Sequence, residues 1–347
     1  MKKPHTNGRL TDLPLPSTMP IVFVHRNKHF YLNFTLRQAK LSNPASSVYL
    51  IGNQVKAAYP MIECIPIESL PAESSTYFAN CYEHVSPNPF DYELFCFQRW
   101  FIVHEFMQQK GYEIILAADS DIMLYGDLNE LAQRMHRGNY QAAFSIGADH
   151  GWVHCASGHV SCWTRAGIAN FCTFLLSLYT DALIRSDWET ICANPLLNNC
   201  HVGISDMTAL YLFYIRNKET ILNQSVVADN QVFDHNMMMA TNYEHGEYAM
   251  QGRVKRIKWL RNGQPIAYNQ LKNTTVRMSA LHFQGNSKNR IHRYYTGNDL
   301  LLQRVFRESR LQAAFMYYKA KAGWQRLRIW WHRPGKQVDV PDYSPAQ

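Results

Sequence analysis

Ile114-Ile115-Leu116-Ala117-Ala118-Asp119-Ser120-Asp121 is an apolar run of strand length that ends on two carboxylates. A run rich in Ile and Leu without polar alternation belongs to a strand buried on both faces of a parallel sheet. Spaced at i and i+2, Asp119 and Asp121 would point the same way if the strand ran through them. Ligands of open α/β sheets collect at the carboxyl ends of the strands. A carboxylate pair there suits a hard divalent cation whose other ligands are substrate phosphates. The stretch predicts metal-assisted handling of a phosphorylated or nucleotide substrate.

Strand and helix patterns alternate outward from this run. Residues 21–24 read as a first strand, 32–40 as a helix and 47–51 as a second strand closed by Gly52-Asn53. That order predicts parallel pairing through a right-handed crossover. Residues 91–110 form an expected helix crowded with aromatics (Tyr92, Phe95, Phe97, Trp100, Phe101, Phe106). A turn entering a helix follows at 126–131, then a strand at 142–146, a helix at 204–216 and a strand at 281–283. The expected architecture is α/β, with a mostly parallel central sheet flanked by helices over 20–298. A loose lead-in, 1–19, precedes it, and a basic, Trp-rich helical tail, 299–347, follows.

Of the 347 residues, 46% are hydrophobic and 18% charged, which suffices for a sizeable core. No stretch approaches the roughly 18 apolar residues of a transmembrane helix. The first residues, Met1-Lys2-Lys3-Pro4-His5-Thr6, lack the apolar segment of a secretory signal. The eight cysteines form no C-x-x-C pair, which fits reduced thiols in a cytoplasmic protein better than disulfides or a zinc site. Between Leu300 and Lys336, nine Lys and Arg stand against Glu308 alone, a surplus equal to the net charge of the whole chain, +8. The basic character is accordingly assigned to the tail alone. A stripe at helical spacing (Leu302, Phe306, Ala313, Met316, Ala320, Trp324, Leu327, Trp331) gives residues 300–332 the pattern of an interfacial helix on anionic lipid. No nucleic-acid motif accompanies the charge, so nucleic acid is not an expected partner.

Five blocks, in order, resemble the GT-A glycosyltransferases, particularly the bacterial family-8-like enzymes that use nucleotide-sugar donors. Residues 118–131, Ala-Asp-Ser-Asp-Ile-Met-Leu-Tyr-Gly-Asp-Leu-Asn-Glu-Leu, resemble the family's LDxDxxVxGDLxEL block. Arg99, in Phe97-Gln98-Arg99-Trp100, resembles its helix arginine near the donor sugar. Cys155-Ala156-Ser157-Gly158-His159-Val160 resembles the FNSGxx segment beside the sugar, with Ser157 where Asn is usual. Ser205-Asp206-Met207-Thr208 falls at the acidic block that opens a helix, with one carboxylate instead of a paired set. Leu281-His282-Phe283-Gln284-Gly285-Asn286-Ser287-Lys288 resembles HFxGxxKPW, with Asn289 where Pro is usual.

The resemblance implies a GT-A (nucleotide-diphospho-sugar transferase) fold and transfer of a sugar from a nucleotide-diphosphate donor, most simply a UDP-sugar. The acceptor would be a saccharide or lipid-linked glycan in bacterial surface polysaccharide synthesis, at the inner face of the cell membrane. It implies that Asp121 and His282 ligate Mn²⁺ or Mg²⁺, with Asp119 on the metal or the donor ribose. Arg99, Ser157, Gly158, Gly285 and Lys288 would contact the donor, and Asp206 would stand at the reacting carbon. His25, Asn27 and Asn53 follow the first two strands, where such enzymes hold the base. Two alternatives from the residues are an aspartyl-nucleophile phosphatase, whose first motif is also a strand ending in D-x-D, and a non-catalytic membrane-associated module.

Overall fold

The structure, a computed structural model, describes residues 18–53, 59, 61–148, 155–193, 204–313 and 316–317. Most of the lead-in (1–17) and the tail positions Ala320, Trp324, Leu327 and Trp331 lie outside the described residues. The chain divides into two compact units, Met1–Gly297 and Asn298–Gln347.

Within the first unit the order is β1 (Ile21–His25), α1 (Leu32–Ser42), β2 (Val48–Gly52), β3 (Glu63–Pro66), α2 (Glu73–Cys81), α3 (Phe90–Lys110), β4 (Ile114–Ala118), β5 (Ile122–Leu124), α4 (Leu128–Arg137) and β6 (Ala142–Ile146). There follow β7 (Ala156–Thr164), α5 (Arg165–Thr180), α6 (Ala182–Cys192), α7 (Asp206–Arg216), β8 (Ile221–Asn223) and β9 (Gln231–Phe233). Four further hairpin strands and a long last strand close the unit: β10 (Met250–Gln251), β11 (Val254–Lys255), β12 (Ile257–Trp259), β13 (Pro265–Asn269) and β14 (Thr274–His282).

The main sheet has seven strands in the order β3-β2-β1-β4-β7-β6-β8. All neighbours are parallel except β7, which runs antiparallel to both β4 and β6, so the sheet is mixed but mostly parallel. Alternation along β4 explains its unbroken apolar run. Ile115 and Ala117 enter the core beneath α3, α5 and α7, whereas Ile114, Leu116 and Ala118 enter the core that α1 and α4 cover. Strand β1 divides likewise, Val22 to one side and Ile21 and Phe23 to the other. A strand with helices on both faces has no solvent side for polar residues to occupy.

At Asp119 the chain leaves this sheet. Ile122 N–H donates to Asp119 O at 3.1 Å, a turn, and β5 then joins a second sheet, β12-β13-β14-β5, with β9 also beside β14. The expectation that one strand carries both carboxylates is therefore corrected, because they occupy the turn between two sheets. The segment 225–275, without regular pattern in the sequence, supplies most of the second sheet and a buried polar knot beneath it. Lys255 and Asp234, both fully buried, pair at 2.5 Å, and Lys255 Nζ also donates to the carbonyls of Asn236 (2.8 Å) and Thr241 (3.2 Å). Glu247 Oε2 accepts the backbone N–H of Asn242, Tyr243 and Glu244, while the Asn242 side chain takes the His235 N–H and donates to the carbonyls of Ser225 and Phe233.

In the second unit, residues 301–313 are helical and Leu301, Leu302, Val305 and Phe306 are exposed. Among the described residues no single helix is long and apolar enough to cross a membrane. Cys64, Cys81, Cys96, Cys155, Cys162 and Cys172 are free thiols. The basic character is not confined to the tail: residues 248–298 carry ten Lys and Arg and no acid, a surplus hidden in the sum over the whole chain.

Breaking a buried ion pair from one side strands the other charge, at a cost of about 3–5 kcal/mol. Lys255→Met is expected to lower unfolding free energy by that amount in denaturant titration, and Lys255→Met/Asp234→Asn to recover part of it. Equal stabilities for the two variants would show that the pair is not the support described.

Candidate active site

The carboxyl ends of β1 and β4 open into a cleft of about 510 Å³ lined by His25 at the end of β1, Asn27 and Tyr31 after it, Tyr92, Phe95 and Arg99 on α3, Asp119 and Asp121 on the turn, and Lys288. Register assembles the two distant halves. In the antiparallel pairing of β5 with β14, His282 lies opposite Ile122, and Phe283 N–H donates to Asp121 O at 3.1 Å. His282 Nε2 consequently stands 3.7 Å from Asp121 Oδ1, and both side chains are over nine-tenths buried.

That separation is too long for a hydrogen bond. His282 Nδ1 donates to the His235 carbonyl at 2.5 Å, leaving Nε2 as the atom aimed at the carboxylate. A carbonyl fixing the far nitrogen of an imidazole is the usual support of a metal-ligating histidine. Two donor atoms 3.7 Å apart also lie within the roughly 4.2 Å that two bonds of about 2.1 Å can span to one divalent ion. Carboxylate plus imidazole suits a borderline cation, so this pair fits the implied metal. Lys288 Nζ approaches the other oxygen, Asp121 Oδ2, at 3.0 Å. Burial would lower the Lys288 ammonium, but Asp121 outweighs it and holds the pKa above its ordinary value.

Asp119 does not join this pair. Its Oδ1 accepts from Arg99 Nη1 at 2.5 Å, and among the described residues no three His, Cys, Asp or Glu converge as a metal cage. Arg99 extends its other nitrogen, Nη2, to Asp206 Oδ2 at 2.8 Å, where Trp100 Nε1 also donates at 3.1 Å. The two carboxylates outweigh burial and raise Arg99 above its ordinary range. Ser205 caps α7, its N–H donating to Thr208 Oγ1 at 3.4 Å, so Asp206 is not the cap. Asp206, expected at the reacting carbon, is 4% exposed and absent from the cleft lining.

Gly158 lies on β7, buried against α3. A Cβ there would come within 2.4 Å of the Trp100 ring, so the glycine makes room for the indole that holds Asp206. Ser157, expected beside the sugar, is buried and donates to His159 Nδ1 at 2.8 Å. His159 Nε2–H donates to the Asp234 carbonyl at 3.0 Å, and its ring stacks on His282 at 4.4 Å. His159 and Asp234 thus support His282 from behind; the sequence reading singled out neither. Asp234 Oδ2 also accepts the His282 N–H at 3.1 Å.

Around the cleft rim, Asn27 has φ +69° and its N–H donates to Asn53 Oδ1 at 2.9 Å. Asn53 shapes this loop without itself lining the cleft. Gly285 has φ +56°, a left-handed backbone that glycine tolerates best, and opens the 3-10 helix Gly285–Tyr294 that carries Lys288. His25 Nε2 meets His29 Nδ1 at 2.7 Å. Burial, aided by His29, lowers His25 to about 4.

No protein-family model matches the sequence, and comparison with curated protein sequences gives no match. Among solved structures the chain is similar to the glycosyltransferase GlyE of Streptococcus pneumoniae TIGR4, at 14% identity over 62% of this chain and a TM-score of 0.33. It spans 46% of the GlyE chain. It is also similar to the galactosyltransferase LgtC with donor and acceptor sugar analogues, at 11% identity over 82% of this chain and 100% of that one, TM-score 0.45. A third is mouse xyloside xylosyltransferase 1, at 10% identity over 62% and 88%, TM-score 0.40.

His25 folds with a pKa below its free value of 6.5, so the stability it contributes is complete above that pH and is lost as pH falls through about 4. Imidazole NMR of the folded chain should place its midpoint near 4, and His29→Asn should raise it. A midpoint of 6.5 in the parent protein would contradict this placement.

Proposed function

We propose that this chain transfers a sugar from a nucleotide-diphosphate donor, with a divalent cation held by Asp121 and His282. The observation that carries the reading is the buried pairing of these two side chains at the end of β4, with Lys288 beside them. When bound, the cation would neutralise charge developing on the leaving diphosphate. Lys288 stands where it adds a positive charge toward the same oxygens, and the turn at Gly285 lets backbone approach them. Arg99, fixed between Asp119 and Asp206, presents a rigid cation at the sugar side of the cleft. In this reading Asp206 positions Arg99, and Asp119 contacts the donor ribose or sugar instead of the metal. The rim formed by His25, Asn27 and Tyr31 receives the base. The phosphatase alternative fits less well, since Arg99 holds Asp119 and Lys288 holds Asp121, leaving neither carboxylate as an unencumbered nucleophile.

Donor hydrolysis or transfer measured with Mn²⁺ across common UDP-sugars should fall by about 100-fold or more in Asp121→Asn, the scale of losing one preorganised charge contact. The absence of binding or turnover with every common nucleotide-sugar would sink the proposal.

We also infer that the acceptor is a saccharide or lipid-linked glycan of a bacterial surface polymer, and that the helical tail rests on the anionic inner face of the membrane. The exposed apolar residues of helix 301–313 beside Arg304 and Arg310 support that placement. Arg304→Gln/Arg310→Gln should weaken partitioning onto phosphatidylglycerol vesicles by roughly tenfold or more, at about 1 kcal/mol per cation. Unchanged partitioning would remove the tail from the membrane contact.

A further inference from the structure

The acid-free segment 248–298 builds a distinct surface on the catalytic unit. Within it Lys255 pairs with Asp234, Arg277 with Glu130 and Lys288 with Asp121. Among the described residues Arg253, Arg256, Lys258, Arg261 and Lys272 form no salt bridge, and all five are exposed.

Sheet register gathers part of this charge. On β13, Pro265, Ala267 and Asn269 are buried while Tyr268 is exposed and Ile266 partly so. Lys258 lies directly opposite Ile266, and Ile257 opposite Ala267, while Arg256 N–H donates to the Ala249 carbonyl at 2.8 Å. Residues directly opposite share a face, so Lys258 stands on the outward side of β13 with Ile266 and Tyr268, and exposed Arg256 precedes it in the chain. At the hairpin tip Leu260 is 44% exposed beside exposed Arg261, and Leu271 is 55% exposed beside Lys272 at the next turn.

Soluble surfaces ordinarily intersperse both signs of charge and keep Leu and Trp off hairpin tips. Here cations alternate with aliphatic and aromatic side chains, and the segment that carries them contains no acid. A nucleic-acid backbone would draw on the cations and the aromatic rings but offers nothing to Leu260 and Leu271. At a lipid headgroup boundary both kinds of side chain are satisfied, the cations by anionic headgroups and the leucines by the acyl edge.

We propose that the β12–β13 hairpin face is a docking surface for an anionic lipid bilayer, separate from the tail. The catalytic unit then has its own membrane contact, and the proposal stands whether or not the cleft transfers sugar.

The test uses the full chain carrying Arg256→Gln/Lys258→Gln/Arg261→Gln, none of which lines the cleft. Partitioning is measured on vesicles of equal phosphatidylglycerol and phosphatidylcholine, and on phosphatidylcholine alone. At about fivefold per cation, the triple variant should lose about 100-fold in partitioning onto the anionic vesicles, with circular dichroism and melting temperature unchanged. Leu260→Ser alone should also weaken it, which distinguishes insertion from simple charge attraction. Partitioning of the triple variant within twofold of its parent, measured both with the natural tail and with Arg304→Gln/Arg310→Gln in both chains, would overturn the proposal. So would intact vesicle binding with lost affinity for a single-stranded oligonucleotide, an outcome that would identify a different polyanion.

Discussion

The short antiparallel pairing of β5 with β14 is the constraint on which the rest depends. Three residues separate the end of β4 in the main sheet from the start of β5 in the second, and Asp119, Ser120 and Asp121 fill that gap. Because His282 pairs with Ile122, its ring arrives beside Asp121 by register alone. A slip of one residue would turn His282 to the opposite face of the sheet. What prevents the slip is the polar knot under β14: Asp234 takes the His282 N–H, Lys255 neutralises Asp234, and His235 fixes the imidazole by its carbonyl. Each of these groups is buried, so each is costly to leave unpaired.

A second chain of contacts runs through the first sheet. Gly158 on β7 yields space to Trp100 on α3, Trp100 donates to Asp206 on α7, and Asp206 shares Arg99 with Asp119 after β4. Four elements thereby fix one guanidinium. Charges of both signs line the cleft, Lys288 paired with Asp121 and Arg99 with Asp119, while Asp206 holds Arg99 from outside the lining. A guanidinium held through both terminal nitrogens, Nη1 and Nη2, needs little reorganisation when charge develops nearby, which is the property that makes electrostatic stabilisation effective.

Much of the fold was legible because it rests on periodicity. Unbroken apolar runs marked β1, β2, β4 and β6, and an aromatic-rich helix marked α3. Asp121, His282 and Lys288 were legible as a set through their motif context. The turn between the sheets was not, since Ile122-Met123-Leu124 reads as a continuation of β4 as easily as a new strand. Strand β7 escaped notice because Ser157, His159 and Ser161 break its apolar pattern, although each finds a hydrogen-bonding partner within the fold. The second sheet was hidden for a related reason. Its support comes from Asn242, Glu247, Asp234 and Lys255, residues whose pattern reads as surface loop until their partners are known. The basic hairpin was masked by arithmetic, as acids earlier in the chain cancel it in any sum taken over the whole unit.

The turn between the sheets has a consequence for the order in which the molecule is made. Strand β5 lies roughly 160 residues ahead of the end of β14, a separation that makes their pairing a late event in folding. A chain emerging from the ribosome can pair β1, β2 and β4 while β5 still waits with an apolar, unpaired edge. Such an edge is a hazard for intermolecular pairing until it is covered. The arrival of β14 both closes that edge and brings His282 to Asp121. Completion of the centre and removal of the aggregation risk are therefore one step, and a nascent chain stalled before it is both inert and sticky.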